Sequence, residues 1–229
     1  MRQRKDFTRL EGKKSARLVI IATEGTDTEP IYFEAVKADL CSSNVHVEVL
    51  RRSDGNSSPE NVYHQLQMFK DEYNIADDDE LWVVVDRDKW TEKMLSEVAL
   101  YCHQDNNLRF CVSNPCFELW LLLHLEDITS YSSEELQQLR ENRKITKNGP
   151  TWLKHKMRQI LGSYSESNYD AYRLLPTIDT AIIRAAMLDV NFFDRWPQDI
   201  GTRVYLLARS IMNRNGDTIG SHTTTTGHH

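Results

Sequence analysis

The feature that most constrains the fold is an alternation of short aliphatic runs with longer amphipathic segments in the first half of the chain. The strand-like runs are 18–22, 45–50, 81–85 and 108–112. The helix-like segments between them are 30–40, 60–73 and 91–103. Runs rich in valine, isoleucine and leucine are typical of strands buried on both faces. The alternation therefore predicts an α/β fold, a Rossmann-like parallel sheet with right-handed crossovers and helices on both faces.

The second half of the chain is predicted to be mainly helical. The segment 116–125 is apolar nearly all round, which indicates a buried helix. Further helices are expected at about 133–140, 151–161, 177–188 and 202–211. These patterns predict four parts: a basic flexible N-terminus at 1–16, the α/β core at 17–127, a helical C-terminal extension at 128–213 packed on the core, and a disordered tail at 214–229.

Length and composition exclude several classes of protein. A chain of 229 residues, 40% of them hydrophobic, can bury one substantial core. Its net charge of −6 leaves no chain-wide cationic surface, so contact with nucleic acid requires a local basic patch. No apolar run approaches the roughly 18 residues of a membrane-spanning helix, and a cytoplasmic protein without membrane contact is expected. The four cysteines lack metal-site spacing and are predicted to be unpaired core thiols.

Acidic residues follow two of the predicted strands at the point where each strand ends. Glu24 comes after the first strand, and Asp86 and Asp88 follow the third. If the strand order begins 2-1-3, these two strands are neighbours at the switch point, where open parallel sheets bind their ligands. Three carboxylates that converge there need a cation, and hard oxygen ligands suit magnesium or manganese. The sequence therefore predicts a Mg²⁺ or Mn²⁺ site made by Glu24, Asp86 and Asp88.

Three sequence blocks resemble those of the RloB-like family. They are 23–33 (TEGTDTEPIYF), 83–88 (VVVDRD) and 113–124 (SNPCFELWLLLH). The resemblance runs from about residue 10 to residue 212, and the third block is the most specific. It implies a TOPRIM-type domain, the fold shared by topoisomerases, primases and OLD-type nucleases, in which Glu24, Asp86 and Asp88 are catalytic and organise magnesium for phosphodiester chemistry. Because RloB-like proteins are associated with restriction and phage-defence loci, it also implies a defence nuclease with an ATPase partner.

Glu118 is a further carboxylate, near the start of the apolar segment 116–125. A carboxylate in such surroundings needs a partner, a metal ion or a raised pKa. Two interpretations remain open: a structural role, in which Glu118 caps a helix or pairs with an arginine, and a place in or next to the metal site. His124, on the same segment, is interpreted as a core histidine.

A local excess of basic residues lies in the predicted helical extension. Between 140 and 158 there are seven lysines and arginines and one acid, Glu141, with Trp152 and His155 among them. Phosphate binding with base stacking needs such a mixture, although a basic face that meets an acidic protein explains it equally well. The predicted nucleic-acid contacts are Lys89, Lys144, Lys147, Trp152, Lys154, Lys156 and Arg158. Those in the extension are expected to lie apart from the metal ligands, and the basic N-terminus is expected to be accessory.

Two other functions are compatible with the same acidic residues. Phosphatases of the haloacid-dehalogenase type also place Asp-x-Asp after a strand, with the first aspartate as nucleophile. They place it after the first strand, however, and have a threonine where this chain has Trp90. The other alternative is a non-catalytic docking or sensor module for an ATPase. The favoured prediction is a magnesium-dependent nuclease that cleaves DNA, RNA or tRNA, with a homo-oligomer possible.

Overall fold

The structure is a computed structural model that describes residues 4–8, 16–51 and 57–214. Most of the predicted basic N-terminus and the tail from residue 215 onward lie outside the described residues. The elements are β1 (Arg17–Thr23), α1 (Thr28–Asp39), β2 (Val45–Leu50), α2 (Pro59–Glu72), β3 (Glu80–Asp86), α3 (Glu92–His103), β4 (Leu108–Asn114), α4 (Glu118–Leu125), α5 (Ser133–Glu141), α6 (Trp152–Leu161), α7 (Ile178–Leu188), β5 (Gly201–Thr202) and α8 (Val204–Ile211). Short 3₁₀ turns lie at Ile128–Ser130, Ala171–Arg173 and Leu175–Thr177.

The strands form one sheet in the order β2-β1-β3-β4-β5. The first four are parallel to one another, which confirms the α/β prediction and makes β1 and β3 neighbours. Along β1 the side chains alternate between two cores: Val19 and Ile21 pack with α1, α4 and the C-terminal helices, whereas Leu18 and Ile20 pack with α2 and α3. Helices therefore cover both faces of the sheet, as predicted.

The C-terminal part contributes a strand to the sheet, which the sequence does not predict. Gly201 and Thr202 were expected to precede or begin the last helix, but they form β5, antiparallel to β4. The last helix, α8, begins at Val204. A Cβ at Gly201 would lie 2.9 Å from the Pro197 side chain, so this close approach favours glycine. Since α4, α6, α7 and α8 share one core with α1 and one face of the sheet, the extension is an integral part of the fold.

The described part of the N-terminus packs against α2. The Lys5 N–H donates to the Glu72 carbonyl at 2.8 Å, and the Phe7 ring meets the Tyr73 ring edge to face. Arg17, at the start of β1, forms a 2.9 Å ion pair with Glu80. Arg4 also pairs with Asp71 of α2 at 3.5 Å, so Arg4, Lys5 and Arg17 have structural contacts. The other basic residues predicted in this region lie outside the described residues.

Several smaller predictions concern buried polar groups. The four cysteines form no disulfide bond, and Cys102, Cys111 and Cys116 are buried. His124 is also buried; its Nδ1 donates to the Leu174 carbonyl at 2.8 Å, so Nε2 accepts from the Tyr32 hydroxyl. Burial lowers the pKa of His124 to about 4, which confirms a neutral core histidine. Within the described residues, no helix has the length and apolarity needed to span a membrane.

Candidate functional site

A cavity of about 370 Å³ opens at the carboxyl ends of β1 and β3, between the start of α4 and one side of α6. It lies at the edge of the sheet where the strand order reverses. The charged side chains along its wall are mostly acidic. They are Asp27, Glu29, Asp86, Asp88, Lys89, Glu118, Lys154 and Glu166. We use the term carboxylate cluster for Glu24, Glu29, Asp86, Asp88 and Glu118.

Glu24 is buried directly behind the cavity wall, at the end of β1. Its Oε2 accepts hydrogen bonds from the Asp86 N–H at 3.0 Å and from the Trp90 Nε1–H at 2.8 Å. Its Oε1 accepts from the Lys89 ammonium at 3.0 Å. Glu24 is therefore in contact with the Asp86 backbone, and Lys89, which lines the cavity, lies against Glu24.

Asp86 and Asp88 reach the cavity from the end of β3. Asp86 is buried, and its Oδ1 accepts the Phe117 N–H at 2.8 Å, which ties β3 to the start of α4. Burial, together with the nearby charges of Glu29 and Glu24, raises the pKa of Asp86 well above its usual value. Desolvation also raises the pKa of Asp88, against the opposing effect of Lys89. Neighbouring carboxyl groups whose pKa values are raised in this way are typical of functional sites.

Asn142, at the end of α5, positions Asp88. Its φ of 41° is left-handed, a conformation that asparagine tolerates better than most residues and that ends the helix. The Asn142 Nδ2 donates to Asp88 Oδ2 at 3.3 Å, while its Oδ1 accepts the Leu153 N–H at 3.0 Å. One buried side chain thus joins the carboxylate cluster to the first turn of α6. The sequence pattern does not single out this residue.

Glu29 is a member of the cluster that the sequence does not predict. It lies in the first turn of α1, and its Oε1 accepts the Gly25 N–H at 3.0 Å. A Cβ at Gly25 would lie 2.0 Å from Glu29 Oε2, so any larger residue there would displace the Glu29 carboxylate from this position. Burial, with the charges of Glu118 and Glu24, raises the pKa of Glu29 to about 7. A carboxyl group with this pKa can exchange a proton at neutral pH.

Glu118 faces the same cavity from the first turn of α4. Its Oε1 accepts the Tyr164 hydroxyl at 3.1 Å and lies 3.9 Å from the Lys154 ammonium. Lys154 also pairs with Glu166. Burial lowers the pKa of Lys154, but Glu118 and Glu166 more than offset this effect, so the pKa is raised overall. Glu118 therefore has a lysine partner within the cavity. The prediction that the basic residues of the extension lie apart from the acidic site is wrong for Lys154.

Two of the other predicted nucleic-acid contacts have structural partners. Lys156 forms a 3.0 Å ion pair with Glu126, and its ammonium lies 4.9 Å from the centre of the Tyr131 ring. The Arg158 Nε donates to the Tyr164 carbonyl at 3.3 Å. The ion pair leaves Lys156 less available to an external phosphate, whereas Arg158 stays exposed and its charge is not paired by this contact.

Lys144 and Lys147 are exposed, whereas Trp152 is half-buried. The Trp152 Nε1–H donates to Gln138 Oε1 at 2.7 Å, which fixes the ring at the start of α6. Lys144 and Lys147 are exposed on the loop between α5 and α6. This loop therefore presents two of the seven predicted contacts to solvent.

Comparison with known protein families matches residues 19–211 to the RloB-like protein family. The chain belongs to the RloB-like family. The match runs from β1 to the end of α8 and includes the whole carboxylate cluster of this RloB-like protein. Among the curated proteins and the solved structures with which the chain was compared, there is no match.

The carboxylate cluster of this RloB-like protein has the oxygen donors of a site for a hard divalent cation. Its side chains, however, are not arranged around one point as metal ligands would be. Among the described residues, no three histidine, cysteine, aspartate or glutamate side chains are grouped as metal ligands. Glu24 shows one reason, since both of its oxygens accept hydrogen bonds from protein donors. The remaining wall is rich in oxygen, and the buried Oγ1 of Thr151 has no hydrogen-bond partner within the described part of the chain. The donor set therefore fits Mg²⁺ or Mn²⁺, provided that Glu24 is released.

Proposed function

We propose that this RloB-like protein is a divalent-metal-dependent nuclease with a TOPRIM-type site. The observation that carries the proposal is the gathering of the carboxylate cluster at the switch point of the sheet, around a cavity. Such a gathering is electrostatically costly without a cation, and carboxylate oxygens favour Mg²⁺ or Mn²⁺. Glu24, Asp86 and Asp88, together with Glu118, are the residues that would hold the ion, and Glu29 is left free for proton transfer.

The side chains around the cavity have separate tasks under this proposal. When bound, a divalent cation stabilises negative charge on a phosphodiester and lowers the pKa of water. Glu29, with a pKa of about 7, takes up or releases a proton at neutral pH. Lys154 stays charged beside Glu118, and it would bind a phosphate oxygen by exchanging its surface partner Glu166, which is half-exposed, for the phosphate. Lys144 and Lys147, on their exposed loop, contact the rest of the polyanion.

The substrate class is nucleic acid, as DNA, RNA or tRNA, and the cleavage serves anti-phage defence in the cytoplasm together with an ATPase partner. Membership of the RloB-like family supports this context, and the exposed basic loop supports a polyanionic substrate. Among the alternatives, a haloacid-dehalogenase-type phosphatase has less support, because Asp86 and Asp88 lie at the end of the third strand and not the first, and Trp90 is bound to Glu24.

A second candidate function is a non-catalytic docking module for an ATPase. The observation that favours it is the set of hydrogen bonds to Glu24. Its carboxylate accepts from the Trp90 ring, the Lys89 ammonium and the Asp86 N–H, as a carboxylate with a purely structural role would. In that case the cluster would serve folding, and the protein would bind its partner without cleaving nucleic acid.

Incubation of the purified chain with labelled DNA, RNA and tRNA, and with p-nitrophenyl phosphate, in Mg²⁺, Mn²⁺ or EDTA, tests these functions. Asp86→Asn removes a cluster charge and keeps an oxygen acceptor for the Phe117 N–H. Asp78→Asn is the matched control, because Asp78 is exposed and outside the cavity.

The nuclease proposal requires metal-dependent cleavage that Asp86→Asn loses and Asp78→Asn keeps. Cleavage that persists in EDTA or in Asp86→Asn contradicts it. Hydrolysis of the phosphomonoester alone indicates a phosphatase, and inactivity on every substrate, combined with binding to an ATPase, indicates the docking module.

A further inference from the structure

The turn between β3 and α3 places two hydrogen-bond donors on Glu24. The Arg87 guanidinium donates to the Trp90 carbonyl at 2.8 Å, which closes the turn, and the Thr91 hydroxyl then accepts the Met94 N–H to begin α3. Fixed in this way, the turn directs Lys89 and Trp90 to the two oxygens of Glu24. The geometry of the turn therefore brings a full positive charge to the cluster.

The Lys89 ammonium is close to two of the predicted metal ligands. Its Nζ lies 3.0 Å from Glu24 Oε1 and 4.0 Å from Asp86 Oδ2. It also lines the cavity, whereas Glu24 does not. A divalent cation held by Glu24 and Asp86 would need to occupy this position, because its oxygen ligands must lie within about 2.1 Å of it.

The two donors differ in how easily they can leave. The Lys89 side chain is 57% exposed and ends a flexible four-carbon stem, so it can turn into water with little loss of packing. Trp90 packs against the core on the far side of the sheet and is held by its ring. Lys89 is therefore the displaceable partner of Glu24, and Trp90 is the fixed one.

We propose that Lys89 acts as an internal cation, which neutralises Glu24 and Asp86 in the metal-free protein and competes with the divalent ion for them. This inference rests on the proposed function, since it concerns the same metal site. It accounts for the position of an ammonium group against two of the predicted metal ligands, on the wall of the cavity. Metal binding then requires Lys89 to swing out of the cavity.

Removal of the ammonium should strengthen metal binding. Titration of the full chain with Mn²⁺, followed by loss of the electron paramagnetic resonance signal of the free ion, gives the Kd directly without any measurement of cleavage. We expect Lys89→Gln to bind Mn²⁺ roughly tenfold more tightly than the wild type, because the competing charge is gone while the carboxylates remain. The metal-free variant should also have a lower Tm, and Mn²⁺ should raise that Tm by more than it does in the wild type.

Lys93→Gln is the matched control, because Lys93 is 85% exposed and pairs with Glu97 at 3.9 Å, outside the cavity. It should leave both the Kd and the Tm unchanged. Lys89→Met keeps the apolar stem and should repeat the effect of Lys89→Gln, which separates the role of the charge from packing.

Each outcome decides between the inference and the proposed function. If the wild type binds Mn²⁺ and Lys89→Gln binds it equally or more weakly, Lys89 does not compete, and the inference falls while the metal site stands. If Lys89→Gln binds Mn²⁺ and the wild type does not, the inference is supported in its strongest form. If no variant binds Mn²⁺, both the metal site and the inference are overturned.

Discussion

Glutamine in place of Glu29 should stabilise the metal-free protein much more at pH 8 than at pH 5. Burial raises the pKa of Glu29 from 4.5 to about 7, so between these pH values the folded protein keeps a proton that the unfolded chain has lost. The unfolded state binds fewer protons in this window, and the free energy of unfolding therefore falls as the pH rises through it. Glu29→Gln removes the ionisation and keeps an oxygen that can accept the Gly25 N–H.

The two pKa values set the size of this effect. A difference of about 2.5 units, at about 1.36 kcal/mol each, gives an upper bound of about 3 kcal/mol in the free energy of unfolding. Because the charges of Glu118 and Glu24 contribute to the raised pKa, part of this free energy depends on those two residues and does not belong to Glu29 alone. For a chain of this size 1 kcal/mol shifts the Tm by roughly 2–4 °C, so the expected rise at pH 8 is at most roughly 6–12 °C.

Thermal unfolding in EDTA, followed by circular dichroism between pH 5 and pH 8, measures the effect. Glu34→Gln on the same helix is the control, because the Glu34 side chain is 45% exposed and pairs with Lys37. The difference in Tm between Glu29→Gln and the wild type should grow with pH, while that of Glu34→Gln should stay constant. If the difference in Tm between Glu29→Gln and the wild type is the same at pH 5 and pH 8, the reasoning is refuted. Glu29 would then have equal pKa values in the folded and unfolded states.

Two further predictions concern stability and substrate binding. Asp86→Ala should lower the free energy of unfolding by about 1–3 kcal/mol relative to Asp86→Asn, because it leaves the buried Phe117 N–H without its acceptor. Urea denaturation of the two variants measures this difference. Equal stabilities would show that water replaces the carboxylate. When Lys144 and Lys147 are neutralised together, the slope of the logarithm of the nucleic-acid binding constant against the logarithm of salt concentration, measured by fluorescence anisotropy, should become shallower by about one to two units. Lys156→Gln should leave this slope unchanged, because Lys156 is paired within the protein. Identical slopes for wild type and double variant would exclude this loop as the binding surface.

The parallel part of the sheet could be predicted because its strands have a strong local pattern. The run 18–22 is aliphatic at every position and buried on both faces, and right-handed crossovers leave few arrangements for four such strands. β5 has no comparable signal, since it consists of Gly201 and Thr202 alone. Its strand geometry comes from pairing with Ser113 and Asn114 of β4, a tertiary interaction that overrides local preference.

The candidate site could be predicted where it depends on strand ends and not where it depends on helix orientation. Glu24 follows a strand, so the topology alone places it at the switch point. Glu29 lies in the first turn of a helix, where an acid is favoured by the helix dipole and looks ordinary. On α6 the pattern identifies Leu153 and Met157 as the buried face, but it does not show that the flank carrying Lys154 meets α4. That contact is set by tertiary packing.

The acidity of the chain is compatible with a polyanionic substrate once the positions of its acids are taken into account. The net charge is −6, yet most of the carboxylate cluster is buried, and its charge is offset by Lys89 and Lys154 within the same cavity. Buried charge of this kind acts over short distances and attracts a cation, whereas exposed charge at Lys144 and Lys147 acts on ions in solution and is screened by salt. Under the proposed function a phosphodiester chain would meet the exposed lysines first and the acids only through the cation. A change in salt concentration should therefore alter mainly the affinity for nucleic acid, through Lys144 and Lys147. A change in metal concentration should alter mainly the rate of cleavage, through the carboxylate cluster, so the two effects can be measured separately in one protein.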